Sequence, residues 1–390
     1  MAAEPDGERP TGAWLPGDPI GFRQLLQLDR VVALEGGAVL QDVVLAYETW
    51  GTLNEDASNA ILVCHALTGD SHAAGPLAPG HPTPGWWDTL IGPGKAIDTD
   101  RWFVVCVNVL GGCQGSTGPA SPHPVDGKPY GSRFPVVTVR DWVRLQAMVG
   151  THLGVHTWHS VIGGSMGGMM VLEWALMFPE RVRSIVPIAT AMAASAQQIA
   201  WWSTGRRIIR MDPNWNGGDY YEPGSPGPAE GLSLARMVSQ ITFRSDDVFT
   251  RRFGREVVEP LDGFELWQRF EVERYLEYHG AKLVRRFDAN SYLLLTKAMD
   301  LHDVGRGRNG IAEAMKRLRC PVLAVGVESD ILYPLYQSQE IVAAARANGV
   351  PARIVELDSP HGHDAFLIEH EQLGLPLSAF LDDVELQTHG

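Results

Sequence analysis

The chain has 390 residues, of which 45% are hydrophobic and 20% are charged, and its formal net charge is −14. A chain of this length forms one large domain or two, and its apolar content suffices for a substantial core. The net negative charge argues against nucleic acid or an anionic membrane as the main binding partner.

No apolar run approaches the roughly 18 residues that a membrane span requires. The N-terminal stretch 1–16 is polar and lacks the apolar centre of a secretory signal. We therefore expect a cytoplasmic protein. The cysteines show no metal-binding spacing, and no metal site is predicted. They are Cys64, Cys106, Cys113 and Cys320.

Strand and helix patterns alternate along the first half of the chain, after a tail (residues 1–17) that we predict to be disordered. Strands that alternate with helices predict a mostly parallel α/β sheet. Continuous apolar runs are typical of parallel strands covered on both faces. The predicted strands are 31–40 and 43–50, which we expect to pair with each other, and 60–64, 102–109, 158–162 and 182–188; the predicted helices are 138–153 and 169–177.

The pattern changes between residues 191 and 314, where helical spacing dominates and no strong strand pattern occurs. An all-helical insertion after the sixth strand of a sheet indicates a lid over an active site. The helices predicted within it are 194–211, 231–241, 266–280, 289–299 and 310–318. The α/β pattern then resumes, with strands at 321–326 and 352–357 and helices at 338–348 and 366–381.

The segment Gly163-Gly164-Ser165-Met166-Gly167 contains a G-x-S-x-G pattern between a predicted strand and a predicted helix. This context is typical of a nucleophile elbow, in which a serine occupies a sharp turn. Glycines without a Cβ allow the sharp turn and close packing; the alternative is a purely structural glycine-rich turn. We predict an α/β-hydrolase fold with a core of residues 18–190 and 315–390, a helical lid of residues 191–314 after the sixth core strand, and Ser165 as nucleophile.

A serine nucleophile needs a base that is oriented by a carboxylate, and in this fold the acid and then the histidine follow later strands. Asp330 and Glu328 follow one predicted strand, and His361 and His363 follow the next. Asp330 is the better acid, because Glu328 is so close to the strand that it is expected to point elsewhere. The alternative for Asp330 is a turn or helix-cap residue. Spacing alone does not separate His361 from His363.

The oxyanion of an acyl-transfer intermediate requires two backbone N–H groups. Met166, directly after the nucleophile, is expected to supply one of them. The loop that follows Cys64 is expected to supply the other, from Leu67. His65 and His72 lie near this loop and are predicted to have structural or supporting roles.

Four motifs occur in a fixed order along the chain and carry a family resemblance. They are His65-Ala66-Leu67-Thr68-Gly69, the run Asn108-Val109-Leu110-Gly111-Gly112-Cys113-Gln114-Gly115-Ser116-Thr117-Gly118-Pro119, Gly163-Gly164-Ser165-Met166-Gly167-Gly168-Met169, and Gly362-His363-Asp364-Ala365-Phe366-Leu367. Together they resemble the homoserine O-acetyltransferase family, and the resemblance extends from about residue 18 to 382.

The resemblance implies a triad of Ser165, Asp330 and His363, and substrate binding by Arg236 and Asp364. These two residue types suit a zwitterionic amino acid, since an arginine binds a carboxylate through two hydrogen bonds and a carboxylate binds an ammonium group. Without the resemblance, Arg236 would be read as a solvated helix residue and Asp364 as a helix cap.

The resemblance further implies a ping-pong transfer of acetyl from acetyl-CoA to L-homoserine, a step of methionine biosynthesis, with no permanently bound cofactor. It also implies a homodimer formed through the lid helices. Arg206, Arg207 and Arg210 either contact CoA phosphates or form a solvated helix face.

The sequence is also compatible with three alternative functions. The first is a serine esterase on the same fold, since the fold does not choose between water and an alcohol as acceptor. The second lies within the family and transfers succinyl, or uses serine as acceptor. The third is a non-catalytic scaffold, which an intact triad in the right order disfavours.

Overall fold

The computed structural model describes residues 9–259, 266–267 and 269–389. An eight-stranded sheet forms its centre. In chain order its strands are Gln24–Gln27 (β1), Val44–Trp50 (β2), Ala60–Cys64 (β3), Phe103–Val107 (β4), Ser160–Gly164 (β5), Ile185–Ile188 (β6), Val322–Val327 (β7) and Ala352–Leu357 (β8). Their spatial order is β1-β2-β4-β3-β5-β6-β7-β8. The pairs β1–β2 and β2–β4 are antiparallel and the other neighbouring pairs are parallel.

Helices cover both faces of the sheet, and six of them lie in sequence between β6 and β7 in the described part of the chain. Short 3-10 helices occur at Gly131–Arg133, Pro179–Arg181, Pro213–Gly218 and Gly362–Leu367. The α-helices are Val139–His152 (α1), Met166–Met177 (α2), Ala196–Met211 (α3), Ala229–Thr242 (α4), Asp246–Phe253 (α5), Glu271–Val284 (α6), Ala289–Asp300 (α7), Ile311–Met315 (α8), Leu335–Ala347 (α9) and His370–His389 (α10).

The apolar core lies in two layers, one on each face of the sheet. Alternate residues of β3 divide between them: Leu62 and Cys64 pack into the layer that contains α1 and α2, whereas Ile61 and Val63 pack into the layer that contains α10. Every residue of β3 and β5 is buried, which explains their unbroken apolar or small-residue sequences. The predicted fold class, a mostly parallel sheet flanked by helices, is confirmed.

The pairing predicted for residues 31–50 is wrong. Val32–Ala33 pairs with Val39–Leu40 as a separate small ribbon, and β2 pairs instead with β1 and β4. Asp42 lies between ribbon and sheet and has a φ of +53°. The first strand, β1, lacks a strong sequence signal because its sequence is QLLQ and most of it is exposed.

Residues 9–17 of the predicted disordered tail are ordered, while residues 1–8 lie outside the described residues. Gly12 donates its N–H to Phe287 O at 3.2 Å, and Thr11 Oγ1 donates to Asp288 Oδ1 at 2.8 Å. A Cβ at Gly12 would lie 2.5 Å from backbone nitrogens of residues 286 and 287. The small glycine therefore lets this segment pack against the start of α7, which polar composition alone did not indicate.

Helix boundaries in the insertion also differ from the prediction. Helix α5 was not predicted, and α6 begins at Glu271 rather than at residue 266. Outside the central sheet, Ile91–Gly92 also pairs with Ile97–Asp98, and this second small ribbon is parallel whereas the first is antiparallel. Within the described part of the chain, no helix is both long enough and apolar enough to cross a membrane.

Candidate active site

Ser165 lies between the end of β5 and the first residue of α2 in a strained backbone conformation, with φ at +58° and ψ at −122°. A residue with a side chain rarely adopts a positive φ, so the surroundings must hold it there. Its N–H donates to Ile188 O at 2.9 Å, and its carbonyl accepts from Thr190 Oγ1 at 2.9 Å. Both contacts come from the end of β6 and the residues that follow it.

The glycines around Ser165 allow its turn to pack directly against the end of β3. A Cβ at Gly163 would lie 2.8 Å from the Cys64 carbonyl oxygen, and one at Gly167 would lie 2.2 Å from the same atom. A Cβ at Gly164 would lie 2.5 Å from the ring of Phe366. Larger residues at these positions would separate the serine from the loop after β3.

Asp330, predicted from its place after a strand, is in direct contact with His363, the histidine that the family resemblance implied. His363 Nδ1 lies 2.7 Å from Asp330 Oδ2, and both residues are buried. Asp330 Oδ1 accepts backbone N–H bonds from Leu332 and Tyr333 at 2.8 and 2.9 Å, which fix the carboxylate. The ring of Tyr333 stacks on the imidazole of His363 at a centroid distance of 5.1 Å.

The competing acid and base positions lie elsewhere. Glu328 is exposed at the surface. His361 is partly buried and its Nδ1 lies 3.4 Å from Arg244 Nη1. The geometry therefore favours Asp330 over Glu328 and His363 over His361.

A cavity of about 240 Å³ is lined by most of the predicted site residues, although not by Asp330 or Met166. Ser165 and His363 line it, as does Leu67 from the loop after β3. Met166 is the first residue of α2, directly after the serine. The other lining residues are Ala66, Thr68, Gly69, Asp70, His72, His81, Pro82, Thr83, Pro84, Trp86, Gln114, Trp202, Arg236, Phe243, Arg286, Asp364, Phe366 and Leu367.

The cavity is lined by a positive and a negative side chain from two different elements. Arg236, on α4, stacks over the ring of Phe243 at 5.0 Å and makes no ion pair with any carboxylate in the described residues. Burial lowers the pKa of its guanidinium, and the negative charge of Asp364 partly offsets this effect. Asp364, next to His363, forms an ion pair with Arg244. The cavity can thus accept a small molecule that carries both a carboxylate and an ammonium group.

Several residues of this site were not found from the sequence. Phe243, Arg244 and Arg286 come from the insertion or its helix connections, where spacing does not indicate which side chains face the cavity. Trp202 lines it from α3. A signal existed only for Tyr333, which lies three residues after the predicted acid.

The motif Asn108 to Pro119 has mainly structural contacts. Ser116 Oγ and Thr117 Oγ1 accept N–H bonds from β2, at 2.9 and 2.8 Å. Gln114 lines the cavity, and its Oε1 accepts from the buried Arg23 at 2.9 Å.

One of the three arginines that the sequence offered for CoA phosphates already has a partner. Arg206 pairs with Asp300, so it is not a free cation for CoA phosphates.

The histidines near the oxyanion loop are held by protein groups. His65 Nε2 accepts from Val109 N–H at 3.1 Å. Among the described residues, the only group with a geometry suited to a metal is Glu48, His72 and His81, whose ligand atoms lie within 4.8 Å of one another. His72 Nδ1 bonds to Glu48 at 2.8 Å, and His81 Nε2 accepts from Phe22 N–H at 2.9 Å. The lone pair of His81 Nε2 that a metal would need is therefore already used.

Comparison with known proteins identifies the family and the fold. A family model described as the alpha/beta hydrolase fold matches residues 59–369. A homoserine O-acetyltransferase of Thermobifida fusca is 53% identical over 375 residues, which cover 95% of this chain and 97% of that protein. One from Moorella thermoacetica is 52% identical and covers 90% of this chain and 93% of its own length.

Solved structures of a homoserine O-acetyltransferase and of an esterase have a similar fold. Homoserine O-acetyltransferase from Bacillus anthracis superposes with a TM-score of 0.86 at 30% identity, over 92% of this chain and 97% of that one. Esterase E22 superposes with a TM-score of 0.85 at 30% identity, over 92% of this chain and 99% of that one. By sequence identity over almost its full length, the chain belongs to the homoserine O-acetyltransferase family of the α/β-hydrolase fold.

Proposed function

We propose that this protein transfers an acetyl group from acetyl-CoA to the γ-hydroxyl of L-homoserine through an acetyl-Ser165 intermediate. The observation that carries the proposal is the charge arrangement of the cavity. An arginine with no ion pair to a described residue and a carboxylate beside the catalytic histidine face the space that contains Ser165. A hydrolase that acts on simple esters has no need of this pair.

In the first half-reaction, His363 removes the proton of Ser165, and the serine oxygen attacks the thioester carbonyl of acetyl-CoA. The N–H groups of Leu67 and Met166 stabilise the oxyanion. The C–S bond breaks, and His363 returns the proton to the departing CoA thiolate. Asp330, 2.7 Å from His363 Nδ1, keeps the imidazole oriented and stabilises its charged form.

In the second half-reaction, Arg236 binds the carboxylate of L-homoserine and Asp364 binds its ammonium group. These contacts direct the γ-hydroxyl toward the acetyl-serine. His363 removes the hydroxyl proton, the alkoxide attacks the acetyl carbonyl, and the Ser165 oxygen leaves with the proton from His363. Binding at both ends of a small zwitterion supplies the orientation that an acceptor needs to compete with water.

Exclusion of water supports transfer over hydrolysis. Ser165 is only 5% exposed and His363 only 4%. Trp202, Arg236 and Phe243, all from the helical insertion, form part of the cavity wall. An acyl-serine in such a site is protected while it waits for its acceptor. We assign residues 191–314 as a lid on this basis.

The esterase reading is the second candidate, because esterase E22 shares the fold at a TM-score of 0.85. Thiol release from acetyl-CoA and from succinyl-CoA, measured with L-homoserine, L-serine or no acceptor, separates the candidates. We expect release that depends on homoserine and acetyl-CoA and that is absent in Ser165→Ala. Release that ignores every acceptor would identify a hydrolase, and a preference for succinyl-CoA or serine would identify another acyltransferase.

Arg236→Gln provides a second arm of the same assay. The transferase proposal predicts a large loss of homoserine use, since the carboxylate loses its charge-assisted partner. Acetylation of Ser165 by acetyl-CoA in the absence of acceptor should continue. An unchanged response to homoserine in this variant would contradict the proposed binding mode.

Dimer formation through the lid helices stays a prediction, as does a cytoplasmic location. Light scattering of the purified protein at several concentrations tests the first. We propose no permanently bound cofactor, and dialysis against a chelator should leave the transferase activity unchanged.

A further inference from the structure

A short segment of the insertion, Phe243 to Ser245, is fastened to the loop that carries the catalytic histidine. Asp364 N–H donates to Phe243 O at 3.2 Å. Ser245 Oγ donates to Pro360 O. Gly362 has a φ of +65°, and a Cβ there would lie 2.9 Å from the backbone of Arg244 and Ser245. The two segments are therefore in backbone contact on both sides of His363.

Arg244 adds charged contacts to this junction. Its Nη2 lies 3.1 Å from Asp364 Oδ2, and its Nη1 lies 3.4 Å from His361 Nδ1. The side chains of Arg244 and Asp364 are 16% and 19% exposed, so the pair is shielded from bulk water. A charge-assisted contact in such surroundings holds its partners more firmly than one on the open surface.

Only one oxygen of Asp364 is used by this contact. Oδ2 forms the ion pair with Arg244, whereas no hydrogen bond or ion pair to Oδ1 occurs within the described part of the chain. Asp364 also lines the cavity. A carboxylate has room for several donors, so an ammonium group can bind while the arginine contact stays in place.

We propose that Arg244 is a positioning residue that sets the orientation of Asp364 for the acceptor's ammonium group, and that it thereby contributes to the choice of an amino acid as acceptor. The inference rests on the proposed function. Arg244 does not contact the triad. It acts through Asp364, and its contact with His361 together with the backbone contacts of its neighbours keeps its guanidinium in place.

A contrary role for Arg244 is that it competes with the ammonium group for Asp364. Competition would require the guanidinium to leave Asp364 when the acceptor binds. The backbone contacts at Phe243, Ser245 and Gly362 hold the segment in place, and the second contact at His361 opposes such a movement. The two roles predict opposite changes in the KM for L-homoserine.

The test compares Arg244→Gln and Arg244→Lys with Arg251→Gln as the matched control. Arg251 lies on α5 of the same insertion and forms an exposed ion pair with Asp247. We expect Arg244→Gln to raise the KM for L-homoserine roughly tenfold, as loss of a charge-assisted contact implies. Arg244→Lys should give a smaller increase, since it keeps the charge. The KM for acetyl-CoA and the rate of Ser165 acetylation without acceptor should not change.

A second acceptor distinguishes orientation of Asp364 from general damage to the site. 4-Hydroxybutyrate has the carboxylate and hydroxyl of homoserine but no ammonium group, so its use should be equally weak in the wild type and in Arg244→Gln. An unchanged or lowered KM for homoserine in Arg244→Gln would overturn the inference, as would an equal loss with both acceptors. If the wild type itself fails to use homoserine, the proposed function falls, and this outcome is seen before any Arg244 variant is compared.

Discussion

At the scale of single residues, the active site depends on close packing between the serine turn and the end of β3. Gly167 lies in the first turn of α2, and a Cβ there would lie 2.2 Å from Cys64 O and 3.2 Å from His65 O. These are backbone atoms at the start of the loop that carries Leu67. Any displacement of this loop alters the distance between the two proposed oxyanion donors.

We predict that Gly167→Ala lowers the rate of acetyl transfer by at least roughly a hundredfold, the effect of losing one oxyanion donor. It should also lower the free energy of unfolding, because backbone cannot retreat as a flexible side chain can. Steady-state kinetics and urea denaturation measure the two effects.

Gly205→Ala is the control for the Gly167 prediction. Gly205 is also within a helix, α3, but the nearest atom to a Cβ there is Tyr292 Oη at 3.4 Å, an ordinary contact. This change should leave activity unchanged and stabilise the protein slightly, by up to about 1 kcal/mol, since alanine favours helices over glycine. Equal effects of both substitutions would contradict the packing argument.

At the scale of elements, a buried carboxylate joins the two core helices to the segment that returns from the insertion. Glu173, on α2, is 1% exposed and accepts from Arg140 Nε of α1 at 3.0 Å. It also accepts from Arg308 Nη1 and Nη2 at 3.1 and 2.7 Å. Arg140 in addition donates to the carbonyls of Asp303 and Arg306 at 3.1 and 2.7 Å. Segment 303–308, which joins α7 to α8, is thus fixed to the core.

Glu173→Gln should lower the free energy of unfolding by about 3 kcal/mol, because it leaves the partly buried Arg308 without an ion pair to a described carboxylate and leaves Arg140 with Glu35 alone. Urea denaturation measures this change. Glu313→Gln is the control: its pair with Lys316 is exposed, and its loss should cost less than about 1 kcal/mol. A Glu173→Gln variant as stable as the wild type would show that the network contributes little.

The placement of strands and helices also accounts for which parts of the site could be predicted from the sequence. The elbow and the order of serine, acid and histidine were predictable because each follows a predicted strand, and strand ends meet at one edge of a parallel sheet. The choice of His363 over His361 came from the family resemblance. The contacts that the insertion makes with the site were not predictable, since helical spacing does not indicate how a helix packs on another element. Arg244 is the clearest case: its position beside Asp364 depends on a backbone contact between two segments more than 100 residues apart, and no local pattern encodes it.

At the scale of the whole molecule, several buried histidines couple stability to pH. Burial lowers the pKa of His65, His159 and His302. Burial and the nearby Arg23 charge lower the pKa of His81 to about 4. His72 behaves in the opposite way: burial lowers its pKa, but the hydrogen bond and charge of Glu48 outweigh burial and raise it.

A histidine whose pKa is lowered by folding binds a proton more readily in the unfolded chain, where its pKa is about 6.5. Its contribution to stability is present above that pH and is lost as the pH falls toward the pKa of the folded state. His72, with a raised pKa, opposes this trend only as the pH rises above about 6.5. Because more of these histidines have a lowered pKa than a raised one, we expect the free energy of unfolding to fall as the pH is lowered from 7.5 to 5.5.

The contribution of a single histidine to this pH dependence can be measured at His81. Its Nε2 accepts the N–H of Phe22 at 2.9 Å, so protonation there would remove the acceptor and place two donors face to face. Its share of the loss between pH 7.5 and pH 5.5 should be about 1 kcal/mol. His81→Gln keeps an acceptor but does not titrate, so urea denaturation of this variant should show a correspondingly smaller fall. A wild-type free energy of unfolding that is flat over this range, or an identical fall in His81→Gln, would mean that His81 is protonated as readily in the folded protein as in the unfolded chain.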